Sequence, residues 1–253
     1  MTVEEIYAAL DRAIPSNLRE SWDNDGLMCA PDGSKEVKHA IVALDVTENI
    51  VDYAISEGAD LIVTHHPLIF KPISAVTEDT HISRKVIKLI QHGVAVISLH
   101  TRADKVFGGV NDILAELLGL SDTEPFGEGA LGRIGMLEGE TSLEDFSYSV
   151  KEALGADAVR VADACMPVQK VAVVGGDGKD FVKDALALGA DTYVSGRIGY
   201  NVMEEAAEMG INLIEAGHFY TEQPVTAFFQ SLLYDIDPDM DVEIVDSNLI
   251  KTI

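Results

Sequence analysis

The sequence predicts an α/β fold of two interlinked lobes with mostly parallel sheets. Two observations carry this. Short β-branched runs alternate with longer amphipathic stretches that end at glycine, the rhythm of strands connected through helices. That alternation breaks once, where Asp, Thr, Pro and Gly cluster over 121–132, and then starts afresh.

Near the start, Val3, Ile6, Tyr7, Leu10 and Ile14 recur at helical spacing among Glu4, Glu5 and Asp11, which gives an amphipathic helix rather than a cleavable leader. Strands are expected over 37–44, 61–64, 94–99, 170–174, 192–195 and 211–214. Helices are expected from Glu48 to Gly58, Ser83 to Gly93 and Val110 to Gly119, with later ones ending at Gly155, Gly189 and Gly210. Glycine closes helices readily because it adopts the left-handed terminal conformation without strain. Thr141 and Glu144 have capping-box spacing, so a helix is expected to start there. The lobes are expected to comprise 1–124 with 218–253, and 125–217, the second opening near Pro125.

The balance of 18 basic against 43 acidic side chains gives a net charge of −25, which repels phosphate backbones and argues against nucleic-acid binding. The apolar runs are too short to span a bilayer. Two cysteines without C-x-x-C spacing argue against a disulfide scaffold or a thiolate metal site and place the protein in the reducing cytoplasm.

Chemistry concentrates at three expected strand ends. His65 and His66 follow the run 61–64, His100 follows 94–99 with Asp104 four residues on, and His218 follows 211–214 with Glu222 four residues on. Ligands of open α/β sheets bind beyond the carboxyl ends of the strands. Adjacent histidines inside a strand would face opposite ways, but Pro67 marks a turn at which both rings can converge. The bland reading of His65-His66 is a surface pair in a loop, which is already the weaker one for the pair alone. Glu222 taken alone reads as a partner of a helix dipole, and three strand ends delivering donors together outweigh that. A one-turn helical relation between His218 and Glu222 is set aside, since Thr221 reads as an N-cap and Pro224 suits a first turn, which leaves His218 in a loop.

Imidazole and carboxylate donors suit zinc, iron, manganese or nickel. Five donors, His65, His66, Asp104, His218 and Glu222, exceed the three or so protein ligands of a single catalytic zinc. They favour a pair of divalent metal ions ~3.5–4 Å apart, with Asp104 as the bridge. His100 serves as a further ligand, an orienting partner or a general acid/base.

Thr64-His65-His66-Pro67-Leu68-Ile69-Phe70, His100-Thr101-Arg102-Ala103-Asp104 with Gly108-Gly109-Val110-Asn111-Asp112, and Ala216-Gly217-His218-Phe219-Tyr220-Thr221-Glu222 stand in this order in the chain. Trp22-Asp23-Asn24-Asp25-Gly26-Leu27 and Leu44-Asp45-Val46-Thr47 precede them. Together these blocks resemble the Nif-three-like dinuclear metal-centre family, also labelled GTP cyclohydrolase 1 type 2 homologues, in its short form without an inserted domain. The resemblance implies a two-domain α/β protomer in a ring-like homohexamer, with a dinuclear site held by His65, His66, Asp104, His218 and Glu222. Departures from the family pattern are Ser195-Gly196-Arg197 and Tyr200-Asn201 in place of Thr-Gly-Asp and a Tyr-His pair, Arg102-Ala103 in place of Asn-Leu, and the stretch Lys105-Val106-Phe107.

Gly175-Gly176-Asp177-Gly178 offers amides to an anion but lacks the rest of a P-loop or dinucleotide fingerprint, so a tight structural turn is expected. Asp23-Asn24-Asp25-Gly26 starts like a calcium loop without its closing glutamate; calcium is rejected, and a role facing the cleft stays open for either aspartate. Arg197 and Lys105 read as salt-bridge partners before substrate contacts. His39, His81 and His92 read as ordinary strand or helix residues.

The leading functional expectation is a metal-dependent hydrolase of a small phosphorylated or nucleotide-like substrate. The alternative is a non-catalytic metal-binding scaffold, metal chaperone, insertase or regulatory protein. GTP cyclohydrolase-type activity is a narrower enzymatic variant.

Overall fold

The first helix, α1 (Val3–Ala13), starts at a complete capping box: the Thr2 side chain accepts from the Glu5 amide while the Glu5 carboxylate accepts from the Thr2 amide. Its Val3, Ile6 and Leu10 are buried, so the apolar spacing read from the sequence is the packed stripe. In the computed structural model, which describes residues 1–253, α1 belongs to the first of two units, Met1–Val106 with Val225–Leu249. The second unit is Phe107–Pro224 with Ile250–Ile253.

The first unit continues through β1 (Gly26–Cys29), β2 (His39–Ala43), α2 (Glu48–Ser56), β3 (Leu61–Thr64), α3 (His81–His92), β4 (Ala95–Ser98) and α4 (Thr101–Lys105). The sheet order is β1-β4-β3-β2-β11, where β11 is Asp241–Ile244. The β4-β3-β2-β11 pairings are parallel and β1 is antiparallel. Every residue of β3 and β4 is buried, the pattern of strands covered on both faces. Ile50, Val51, Ala54, Val86 and Leu89 of α2 and α3 share a core with Ile41, Ile62 and Val96 of the sheet.

The second unit holds α5 (Val110–Leu117), β5 (Ser121–Phe126), β6 (Gly132–Thr141), α6 (Leu143–Leu154), β7 (Arg160–Ala162), β8 (Val168–Asp177), α7 (Val182–Ala187), β9 (Thr192–Arg197), α8 (Tyr200–Met209), β10 (Asn212–Glu215) and α9 (His218–Glu222). The chain then returns to the first unit as α10 (Val225–Ile236) and β11. The sheet order is β5-β6-β8-β9-β10-β7. Only β8-β9 and β9-β10 pair in parallel, so this sheet is mixed where a mostly parallel one was expected. The antiparallel part comes from the hairpin β5-β6, from β6 folding back on β8 and from β7 lying against β10.

The unit boundaries differ from those read in the sequence. Residues 107–124 belong to the second unit, because Leu114, Ala115 and Leu118 of α5 pack with Val171 and Val173 of β8 and because β5 pairs with β6. Residues 218–224 belong there as well, with α9 packed on β8 and β9. Helix α6 starts one residue later than expected: Thr141 ends β6, and Ser142 is the N-cap that accepts from the Asp145 amide.

The two units repeat one local design. Each has three adjacent parallel strands in sequential order, β2-β3-β4 and β8-β9-β10, with an antiparallel strand (β1 or β7) against the third. Gly58-Ala59-Asp60 and Gly189-Ala190-Asp191 lead into the middle strands. Asp60 accepts from the Lys38 and His39 amides, as Asp191 does from those of Gln169 and Lys170. After the third strand each unit makes a five-residue helix, α4 or α9. No helix of the chain is long and apolar enough to cross a membrane.

Candidate metal centre

Three histidines converge in the first unit. His65 and His66 leave β3, and His100 leaves β4 as the N-cap residue of α4. One ring nitrogen from each lies within 4.8 Å of the other two. The His65 ring centroid is 5.0 Å from that of His66 and 5.1 Å from that of His100. On the next helix, Asp104 brings Oδ1 to 3.6 Å from His65 Nε2. His65 is fully buried and Asp104 nearly so.

Each imidazole is held from behind through Nδ1. That of His65 lies 3.0 Å from the Leu99 carbonyl oxygen, that of His66 2.8 Å from Asp45 Oδ1, and that of His100 2.8 Å from Asp23 Oδ1. A carbonyl or carboxylate at Nδ1 keeps a proton there, so Nε2 is the atom left to present a lone pair, the usual arrangement behind metal-binding histidines. The acceptors are themselves fixed. Ser247 Oγ donates to Asp45 Oδ2 at 3.1 Å and accepts from the Asp45 amide. Asp23 Oδ2 accepts from the Thr101 amide and hydroxyl.

Burial works against ionisation of Asp23, but its bonds to His100 and Thr101 outweigh that and hold the carboxyl at about 2. Burial depresses the basicity of His100, yet the Asp23 hydrogen bond and the charges of Asp104 and Asp23 carry it above the ordinary histidine value. Asp25 accepts from the His100 amide and from Arg102 Nε. The side chain of Arg102 is wholly buried and turned inward, bonding Asp11 at 2.6 Å and the Ile14 carbonyl at 3.0 Å. Arg102, one of the departures from the family pattern, thus props the backbone of His100. Lys105 pairs with Glu20, as expected of a salt bridge.

In the second unit His218 and Glu222 sit one turn apart on α9, with Nε2 2.9 Å from Oε2. This overturns the loop placement of His218. Gly217 is the N-cap residue, and Thr221 lies inside the helix, where its hydroxyl accepts from the Gly176 amide at 3.1 Å. Pro224 falls between α9 and α10 and separates them. Glycines let α9 approach the sheet closely. A Cβ on Gly196 would stand 2.7 Å from the His218 Cα, and one on Gly176 would stand 2.1 Å from Glu222 Oε1.

The glycine amides of the run 175–178 are engaged by side chains of the protein rather than offered to an anion. Gly175 donates to Asn111 Oδ1, Gly176 to Thr221 Oγ1 and Gly178 to Ser195 Oγ. Arg197 is exposed at the end of β9. The residue that sequence reasoning left without a role is Asp45, whereas Asp23, for which a role facing the cleft was left open, lies behind His100. The signal for Asp45 was a carboxylate just past the expected strand 37–44, without the strand order that sets it behind a histidine.

The description of the Duf34/NIF3 (NGG1p interacting factor 3) family matches residues 1–253. The chain belongs to the NIF3 family. Among NIF3 relatives, a Clostridium perfringens protein named "GTP cyclohydrolase 1 type 2 homolog" is 38% identical over 232 residues, 89% of this chain and 88% of that one. A Bacillus cereus protein related to NIF3 superposes with a TM-score of 0.89 at 25% identity, over 100% of this chain and 99% of that one. HcgD from Methanocaldococcus jannaschii, in its reduced form, gives 0.84 at 29% identity over 96% and 97%. This NIF3 chain therefore carries groups of residues suited to binding metal.

Proposed function

We propose that this protein is a dinuclear metal-dependent hydrolase acting on a small phosphorylated or nucleotide-like substrate. His65, His66, Asp104, His218 and Glu222 would hold the two divalent ions, with Asp104 as the bridge. The observation that carries the reading is the convergence of three imidazoles, each backed at Nδ1 by an oxygen acceptor. The donor set fits such ions: neutral imidazoles and carboxylates, with no thiolate among them.

When bound, the ions supply Lewis acidity and a water of lowered pKa. The protein's own residues do the rest. Leu99 and Asp45 fix the tautomers of His65 and His66, so Nε2 of each ring would be the atom offered to an ion. His100 moves a proton at Nε2, and Asp23 at its other nitrogen stabilises the imidazolium form. The cytoplasm, where the free thiols of Cys29 and Cys165 persist, is the proposed compartment. Resemblance to the family supports a ring-like homohexamer, which sedimentation equilibrium checks as six chains per particle.

Elemental analysis of protein purified without added metal tests the centre. Two ions per chain are expected in the wild type, with loss in His65→Ala and Asp104→Ala. Asp45→Ala should keep the fold and weaken metal binding ~10–100-fold. One ion or none in the wild type sinks the dinuclear reading. If metal-loaded protein turns over no phosphate ester, phosphodiester or purine-ring substrate, the hydrolase reading fails.

A further inference from the structure

Trp22 is the chain's one tryptophan, and it is 62% exposed. Its ring centroid lies 6.2 Å from that of Phe70, at an interplanar angle of 71°. Phe70 is 40% exposed. Both rings stand edge-to-face against His100, at 6.4 Å for Trp22 and 6.1 Å for Phe70. Two large aromatic faces are thus left in water beside one of the converging histidines, whereas rings of this size normally contribute by being buried.

The pair is anchored to the histidine. Asp23, the next residue after Trp22, bonds both His100 Nδ1 and the Thr101 amide. The Asn24 side-chain amide donates to the Ile69 carbonyl, which ties the segment carrying Trp22 to the one carrying Phe70. The position of the indole is therefore set by the same contacts that set His100. An exposed, pre-positioned indole and phenyl ring favour a flat partner, because stacking uses the whole π-face and loses little conformational freedom. A ligand reaching from these rings to the histidines also needs a polar or anionic end.

We propose that Trp22 and Phe70 form a stacking subsite for the planar heteroaromatic ring of the ligand whose anionic part faces His100. This rests on the small-anionic-substrate reading above and narrows its substrate class to compounds carrying a purine-like or related flat ring.

Adenosine 5′-monophosphate is a suitable probe because a purine offers a large stacking face; ribose 5-phosphate is its ring-less control. Binding to the full-length, metal-loaded protein is measured by calorimetry and by the fluorescence of Trp22, the only indole present. The nucleotide should quench this fluorescence and bind about tenfold or more tightly than the sugar phosphate. Trp22→Ala should abolish that advantage and Trp22→Phe should restore most of it, with unchanged thermal melting because the ring is exposed. Equal affinity for the two probes, or nucleotide affinity unaltered in Trp22→Ala, overturns the proposal. So does a Trp22→Ala variant that changes only the number of chains per particle. Stacking without any hydrolysis leaves the subsite standing and removes the hydrolase reading; hydrolysis without ring preference does the reverse.

Discussion

A Cβ built on Gly176 would lie 2.1 Å from Oε1 of Glu222 and 3.2 Å from Nε2 of His218. Gly176 also sits at φ +66°, where an L side chain is strained. Position 176 thus accommodates both the local backbone and the two donors of α9. Gly176→Ala should displace the Glu222 carboxylate, lower the metal content of purified protein and cost about 1–3 kcal/mol of stability through backbone strain. Elemental analysis with a denaturant titration checks both parts. Unchanged metal content would show that Glu222 is not a ligand or that α9 yields without loss.

How much of this was legible in the sequence depends on the range of each interaction. Strands β3 and β4 announced themselves because four consecutive buried residues need no partner to be recognised. His65, His66, His100 and Asp104 were found because strand ends are local features. Asp45 was not given its role, because its relation to His66 exists only once β2 is known to lie beside β3. His218 was misplaced for a different reason. A five-residue helix is too short to show periodicity, and Pro224 drew the expected helix start past it. The antiparallel half of the second sheet was missed because alternation of strands and helices says nothing about a hairpin such as β5-β6.

Arg102 forms its bonds entirely inside the protein, to Asp11, Asp25 and the Ile14 carbonyl. Burial pushes the Asp25 carboxyl up, and the Arg102 charge opposes that rise. Removing one partner of a buried ion pair leaves the other charge uncompensated, so Arg102→Ala should destabilise the protein by roughly 3–5 kcal/mol. The backbone of His100 should loosen as well, since Asp25 accepts its amide. Urea denaturation measures the first effect, and faster amide exchange at His100 reports the second. A loss below about 1 kcal/mol would mean that water replaces the guanidinium.

Asp60 joins two strands of the first unit by accepting from the Lys38 and His39 amides, and it pairs with Lys35 at 2.8 Å. Burial alone would raise its pKa, but these partners outweigh it and hold the carboxyl below its ordinary value. A group whose pKa is depressed by folding stabilises the native state above its unfolded pKa, near ~3.9 for aspartate, and loses that contribution as the pH falls through the folded value. Asp60→Asn should therefore lower the unfolding free energy measured in urea at pH 7, by on the order of 1 kcal/mol after allowance for solvent screening. Below that unfolded value, as the folded carboxyl takes up its proton, the gap between wild type and variant should shrink. A gap of constant size across this range would assign the role of Asp60 to shape and hydrogen bonding rather than to its charge.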